Sequence, residues 1–208
     1  MTDSQIKTLE RYRALNQTTE KGQIVFAGSS LMEQFPIERF AAQDTLPFAV
    51  YNRGISGIVT QELLECIYVC ILDLAPKKLF INIGTNDFNV PQTSVEALVE
   101  RYAKILNIVK EQLPDCHIYM MAYYPMNAAA APEAAQQRMK IRTNEKLGRA
   151  NAALARLADE KGATFLDVNA PITDERGNMK AEFCLDGIHM KEEGYRSIYP
   201  LLKPYMTE

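Results

Sequence analysis

Apolar residues fall into two kinds of run along the chain. Short, nearly unbroken runs end on glycine or on polar residues. They are QIVFAG ending at Gly28, FAVYNRG from Phe48 to Gly54, KKLFINIG from Lys77 to Gly84, CHIYMMAYY over 116–124 and ATFLDV over 163–168. Their length and continuity predict strands covered on both faces. Longer segments between them carry helical spacing. In 3–20, Ile6, Leu9, Tyr12 and Leu15 share one predicted helix face, and further helices are predicted at about 60–74, 94–113 and 133–161. The run MNAAAAPEAAQQ, 126–137, reads as a loop leading into the last of these. A final helix is predicted over about 191–204, ended or kinked near Pro200 and Pro204, because proline has no amide to donate.

Strand and helix alternate from end to end, which predicts an α/β fold with a parallel sheet and helices on both faces. No repeat, linker or break in composition divides the chain, so one domain over 1–208 is expected.

Composition narrows the function classes. A net charge of −3 offers no footprint for nucleic acid. No apolar run approaches the roughly 20 residues of a membrane span. The opening MTDSQIKTLERYRALNQ lacks the apolar centre of a signal peptide, so a cytoplasmic location is expected. The four cysteines include no C-x-x-C pair; Cys66 and Cys70 lie one helical turn apart, Cys116 and Cys184 stand alone, and buried free thiols are expected. With two histidines and no clustering of ligand types, no metal site is expected, and no cofactor either. Partners reduce to a small-molecule substrate, with no nucleic acid and no membrane. A homo-oligomer is left open.

In an open parallel sheet, ligands bind beyond the carboxyl ends of the strands. The residues there are Gly28, Ser29 and Ser30 after the first strand; Gly54, Ile55, Ser56 and Gly57 after the second; and Gly84, Thr85, Asn86 and Asp87 after the third. Beyond the fifth, the chain reaches CLDGIHMKEEGY, with Asp186 and His189. Small and polar residues thus gather at one edge of the sheet.

A serine hydroxyl attacks only when a base takes its proton, and that base needs a fixed tautomer. His117 opens the fourth strand, at the opposite end of the sheet, where a structural or surface role is expected. His189 is therefore the available base, and Asp186, three residues before it, can orient its ring. An acyl-transfer intermediate also needs oxyanion donors. The Ser30 N–H at a helix start, the Gly57 N–H and the Asn86 side-chain amide are the candidates. At this stage either Ser29 or Ser30 can be the nucleophile.

The blocks GSSL (28–31), ISG (55–57), GTND (84–87) and DGIH (186–189), in this order, resemble the four blocks of the SGNH (GDSL-type) hydrolases. The resemblance spans Ile24 to about Tyr195. It implies a three-layer, flavodoxin-like α/β/α sandwich with five parallel strands, and a serine esterase activity. It implies Ser30 as nucleophile, Asp186 and His189 completing the triad, and Ser30, Gly57 and Asn86 as oxyanion donors. One departure stands out: Ser29 replaces the aspartate of the family's Gly-Asp-Ser. With no evident long apolar lid, the expected substrate is a short acyl or acetyl ester, of a carbohydrate or small metabolite. The G-x-S-x-G elbow is absent, since Met32 occupies its second glycine. The alternatives are a non-catalytic carbohydrate- or nucleotide-binding module of flavodoxin type, and an acyltransferase using the same triad. GSSLME contains neither G-x-G-x-x-G nor a P-loop lysine, which disfavours nucleotide binding.

Overall fold

The computed structural model describes residues 1–208, the Ala134 side chain excepted. Five strands form one parallel sheet: β1 (Ile24–Gly28), β2 (Val50–Gly54), β3 (Lys78–Asn82), β4 (His117–Met121) and β5 (Thr164–Leu166), in the order β2-β1-β3-β4-β5. The eight helices are α1 (Asp3–Asn16), α2 (Ser30–Glu33), α3 (Ile37–Gln43), α4 (Thr60–Cys70), α5 (Val95–Gln112), α6 (Glu133–Met139), α7 (Asn144–Glu160) and α8 (Glu192–Thr207). They cover both faces, giving the three-layer α/β/α architecture the sequence predicts.

Strand residues alternate between two cores. Val25, Ala27, Leu79, Ile81, Ile118 and Met120 pack against α1, α4, α5 and α7. Ile24, Phe26, Phe80, Tyr119 and Met121 pack against α2, α3 and α8. The strands are apolar on both faces because each face has its own helical layer. Register places Phe26, Phe80 and Tyr119 side by side on adjacent strands. Their rings stack at centroid separations of 4.5 and 4.6 Å, within the favourable range for aromatic pairs.

Several elements differ from expectation; α3 is not among the predicted helices, and the helix expected over 60–74 ends at Cys70, with a separate 3₁₀ turn over Leu72–Leu74. In α1 the inward residues are Gln5, Tyr12 and Asn16, whereas Ile6 and Leu15 are exposed. The polar pair faces inward to satisfy backbone elsewhere: Gln5 Nε2 donates to the Ser56 carbonyl at 3.0 Å and Asn16 Nδ2 to the Val69 carbonyl at 2.8 Å. The segment 133–161 forms two helices rather than one, because Thr143 caps α7 by accepting the Lys146 N–H at 3.1 Å. α8 runs through both prolines to Thr207, held by the buried side chains of Tyr195, Ile198, Leu202 and Met206. The four cysteines are buried and free, and Cys66 and Cys70 are in contact at 3.7 Å. No helix is long and apolar enough to cross a membrane among the described residues.

The topology positions the site. From β1 the chain passes to β2 on one side and then to β3 on the other, so the loops leaving β1 and β3 diverge and leave a crevice between them. Ser30 starts the element after β1, and Asn86 lies in the 3₁₀ turn Thr85–Asn89 after β3.

Candidate active site

The turn from β1 into α2 needs glycine. Gly28 has φ +151°, and a Cβ there would collide with the Asn82 backbone carbonyl. The chain then reverses sharply. The Ser29 N–H donates to the Asn82 carbonyl at 3.2 Å, and the Ser29 carbonyl accepts from Met32 and Glu33. Ser29 occupies the cap position of α2 and is buried, but its hydroxyl makes no capping bond, so it holds the turn through backbone alone. Ser30 follows, half-buried, with its hydroxyl facing the loop before α8.

His189 Nε2 lies 2.9 Å from Ser30 Oγ, and His189 Nδ1 lies 2.7 Å from Asp186 Oδ2. The other Asp186 oxygen accepts the N–H groups of Ile188 at 3.0 Å and His189 at 2.8 Å. Partial burial pushes the Asp186 carboxyl upward, but these bonds, led by the one from the His189 ring, outweigh it and hold it below the usual carboxylate range. A carboxylate that stays ionised fixes Nδ1 as the protonated nitrogen and leaves Nε2 as acceptor for the serine proton. The loop is tied to the segment after β4, where the Asn127 N–H donates to the Gly187 carbonyl at 2.8 Å. His117 is exposed at the amino end of β4, away from these groups.

The candidate oxyanion donors line one cleft. Its volume is about 570 Å³, and Ser30, Gly57, Asn86, Asp186 and His189 all line it. The turn carrying Gly57 is held from several sides. Ile55 N–H donates to the Gly28 carbonyl at 2.9 Å, Ser56 N–H to Glu33 Oε2 at 2.8 Å, and Tyr12 Oη to the Gly54 carbonyl at 2.6 Å. Gly57 itself has φ +81°, a conformation that favours glycine. Among the described residues, neither the Ser30 nor the Gly57 N–H has an internal partner. Asn86 Nδ2 donates to the Ile58 carbonyl at 3.1 Å, which leaves its second hydrogen free. The turn beneath it is anchored by Asp87, which accepts from Thr60 N–H at 2.9 Å and Thr60 Oγ1 at 2.5 Å and pairs with Arg101 at 3.0 Å.

The structure thus brings together Ser30, Gly57, Asn86, Asp186 and His189, the residues singled out from sequence. It adds others that sequence reasoning missed. Arg138 and Arg142 line the cleft, and Arg142 is 4% exposed. Arg142 Nη1 donates to Asn86 Oδ1 at 3.4 Å and Nε to Met126 Sδ at 3.3 Å. Burial pulls its pKa down to about 10, the charge of Arg138 adds to the effect, and Asp186 opposes it. In the string RMKIRTNEK nothing distinguishes Arg142 from solvated neighbours. Glu33 and Asp87 were missed as supports because their partners, Ser56 and Thr60, lie more than twenty residues away in sequence.

A parallel α/β/α sheet with hydroxyl, imidazole and carboxylate in hydrogen-bonded line at its carboxyl edge has the constellation of a serine hydrolase. Comparison with known proteins agrees. The model of the GDSL-like lipase/acylhydrolase family matches residues 28–197. The chain belongs to that family and is a carboxylic ester hydrolase. Among solved structures, a Streptococcus pneumoniae protein provisionally named a platelet activating factor is 31% identical, over 98% of this chain and 92% of its own, with a TM-score of 0.85. A Bacteroides fragilis protein provisionally named an acylhydrolase shares the fold at 20% identity, covering 95% of both chains with a TM-score of 0.78. So does a catalytic mutant of an acetylxylan esterase from Geobacillus stearothermophilus, at 15% identity over 91% of this chain and 97% of that one, with a TM-score of 0.67. A curated relative, the N-acylneuraminate cytidylyltransferase of Escherichia coli O18:K1:H7, is 24% identical over 86% of this chain, which spans only 39% of that protein's length.

Proposed function

We propose that the protein hydrolyses short acyl esters, acetyl esters foremost, through an acyl-enzyme on Ser30. Ser30 Oγ attacks the ester carbonyl carbon while His189 Nε2 takes its proton. The carbonyl oxygen becomes the oxyanion and accepts from the N–H groups of Ser30 and Gly57 and the Asn86 amide. The intermediate collapses as imidazolium protonates the departing alkoxide, and the alcohol leaves. Water, deprotonated by His189, then attacks the acyl-Ser30 ester, and the acid departs with the serine restored. Asp186 stabilises the imidazolium at both stages. The observation that carries this reading is the unbroken chain Ser30 Oγ–His189 Nε2 and His189 Nδ1–Asp186 Oδ2, at 2.9 and 2.7 Å.

A short acyl group and a polar alcohol suit the cleft, which is lined by Thr2, Gln5, Gln34, Ser56 and Asn89 and has few apolar side chains. The Geobacillus neighbour, an acetylxylan esterase, points the same way. Cytidylyl transfer, in the name of the curated relative, is not carried over, because the loop after β1 has no phosphate-binding pattern. A p-nitrophenyl ester series tests the reading. kcat/KM is expected to be highest for acetate or propionate and to fall steeply by octanoate. An optimum at long chains would contradict the substrate class, and acyl transfer to added alcohols in preference to water would favour the transferase.

A further inference from the structure

We propose that Arg142 forms an anion subsite inside the cleft, so that the preferred ester carries a carboxylate beside its scissile bond. The inference rests on the esterase reading and adds the charge of the substrate to it.

The two buried guanidinium groups of the fold differ in one respect. Arg53, 3% exposed, uses all its nitrogens: Nε donates to Asn16 Oδ1 at 3.0 Å, Nη1 to the Asn52 carbonyl at 2.9 Å and Nη2 to Thr19 Oγ1 at 3.4 Å. It also lies over the rings of Tyr12 and Tyr51. Arg142 is as buried, yet its bonds are a long contact to an amide oxygen and one to a thioether, a weak acceptor. Its Nη2 has no protein partner and no carboxylate pairs with it, among the described residues. A buried cation left short of acceptors is costly, and such groups are paired in settled structure. Arg142 lines the cleft that holds Ser30 and His189, so a ligand bound there is positioned to supply the acceptor.

Charge on the cleft wall agrees. Arg138 lies on the same wall, and the acid lining it, Asp186, is already engaged by His189 and two N–H groups. A chain of net charge −3 therefore presents a cationic patch in its cleft. A planar guanidinium with an open Nη2 edge matches a carboxylate. The contact to Asn86 Oδ1 suggests a competing role: Arg142 could serve only to hold the Asn86 amide for the oxyanion.

The experiment separates these roles. Ortho, meta and para acetoxybenzoates are compared with the matching neutral acetoxybenzamides. The wild-type protein is expected to favour at least one acid over its amide by about 10- to 100-fold in kcat/KM, the range of a charged hydrogen bond. Arg142→Met should collapse that ratio toward unity through KM for the acid, and Arg142→Lys should restore part of it. Binding is read separately by calorimetry with the hydroxybenzoates, which carry the carboxylate without an ester. They should bind the wild type and lose affinity in Arg142→Met. Equal kcat/KM for acid and amide in all three isomers overturns the proposal. So does a variant that lowers both esters by the same factor, as a positioning role for Asn86 would. If neither ester were cleaved, the p-nitrophenyl series would still decide the esterase reading, and the calorimetry would still decide the anion subsite.

Discussion

At the scale of single residues, Asn86 has two readings that one variant distinguishes. As an oxyanion donor it acts only in the transition state. As a turn residue it acts on folding, through Ile58. Asn86→Ala is expected to lower kcat by about 10²- to 10³-fold, roughly 3–4 kcal/mol, with little change in melting temperature. A normal kcat with a depressed melting point would assign it to the turn. Asp186 gives a pH-dependent expectation. Its folded pKa lies below the ordinary carboxylate value, so its contribution to stability is present above about pH 4 and is lost as pH falls through the folded value. The melting-temperature gap between wild type and Asp186→Asn should therefore be wide near neutrality and narrow as pH falls below the ordinary carboxylate value. A gap independent of pH would mean that the carboxylate is not held by these bonds.

At the scale of elements, the site depends on turns braced by distant side chains. Asp87 ties the 3₁₀ turn of Asn86 to the start of α4 and to Arg101 on α5. It is 5% exposed, so its removal deprives Arg101 of its carboxylate and leaves two Thr60 donors without their acceptor. Asp87→Ala is expected to cost about 3 kcal/mol in urea unfolding, the low end for a buried pair because Arg101 is partly exposed, and to reduce kcat by loosening Asn86. Unchanged stability would refute the bracing role. The same kind of bond explains what sequence hid. Hydrophobic periodicity located α5 within a residue at each end but read the face of α1 only in part: Tyr12 is buried and Leu9 packs on the core, whereas Ile6 and Leu15 are exposed and Gln5 and Asn16 turn inward to serve Ser56 and Val69. Periodicity records apolar burial, and buried hydrogen bonds leave no period. The break before α7 did carry a local signal in Thr143, a capping residue inside an otherwise continuous helical pattern.

At the scale of the whole molecule, the sheet was legible because each strand is an apolar run that ends in small or polar residues, and parallel strands put all those ends on one edge. That placement, with only two histidines to choose from, brought Ser30, His189 and Asp186 into view together. The resemblance to a known family then selected Ser30 over Ser29. Arg142 stayed hidden because its meaning lies in what it lacks, and an absent partner can be seen only when every neighbour is in place. The central claim is that Ser30 is the nucleophile, and covalent trapping tests it most directly. Intact-mass measurement after treatment with an organophosphonate should show a single adduct, mapped by peptide digestion to Ser30. The adduct and the esterase activity should both vanish in Ser30→Ala, with turnover down by roughly 10⁴- to 10⁶-fold, and both should survive in Ser29→Ala. An adduct on Ser29, or activity that persists in Ser30→Ala, would contradict the account.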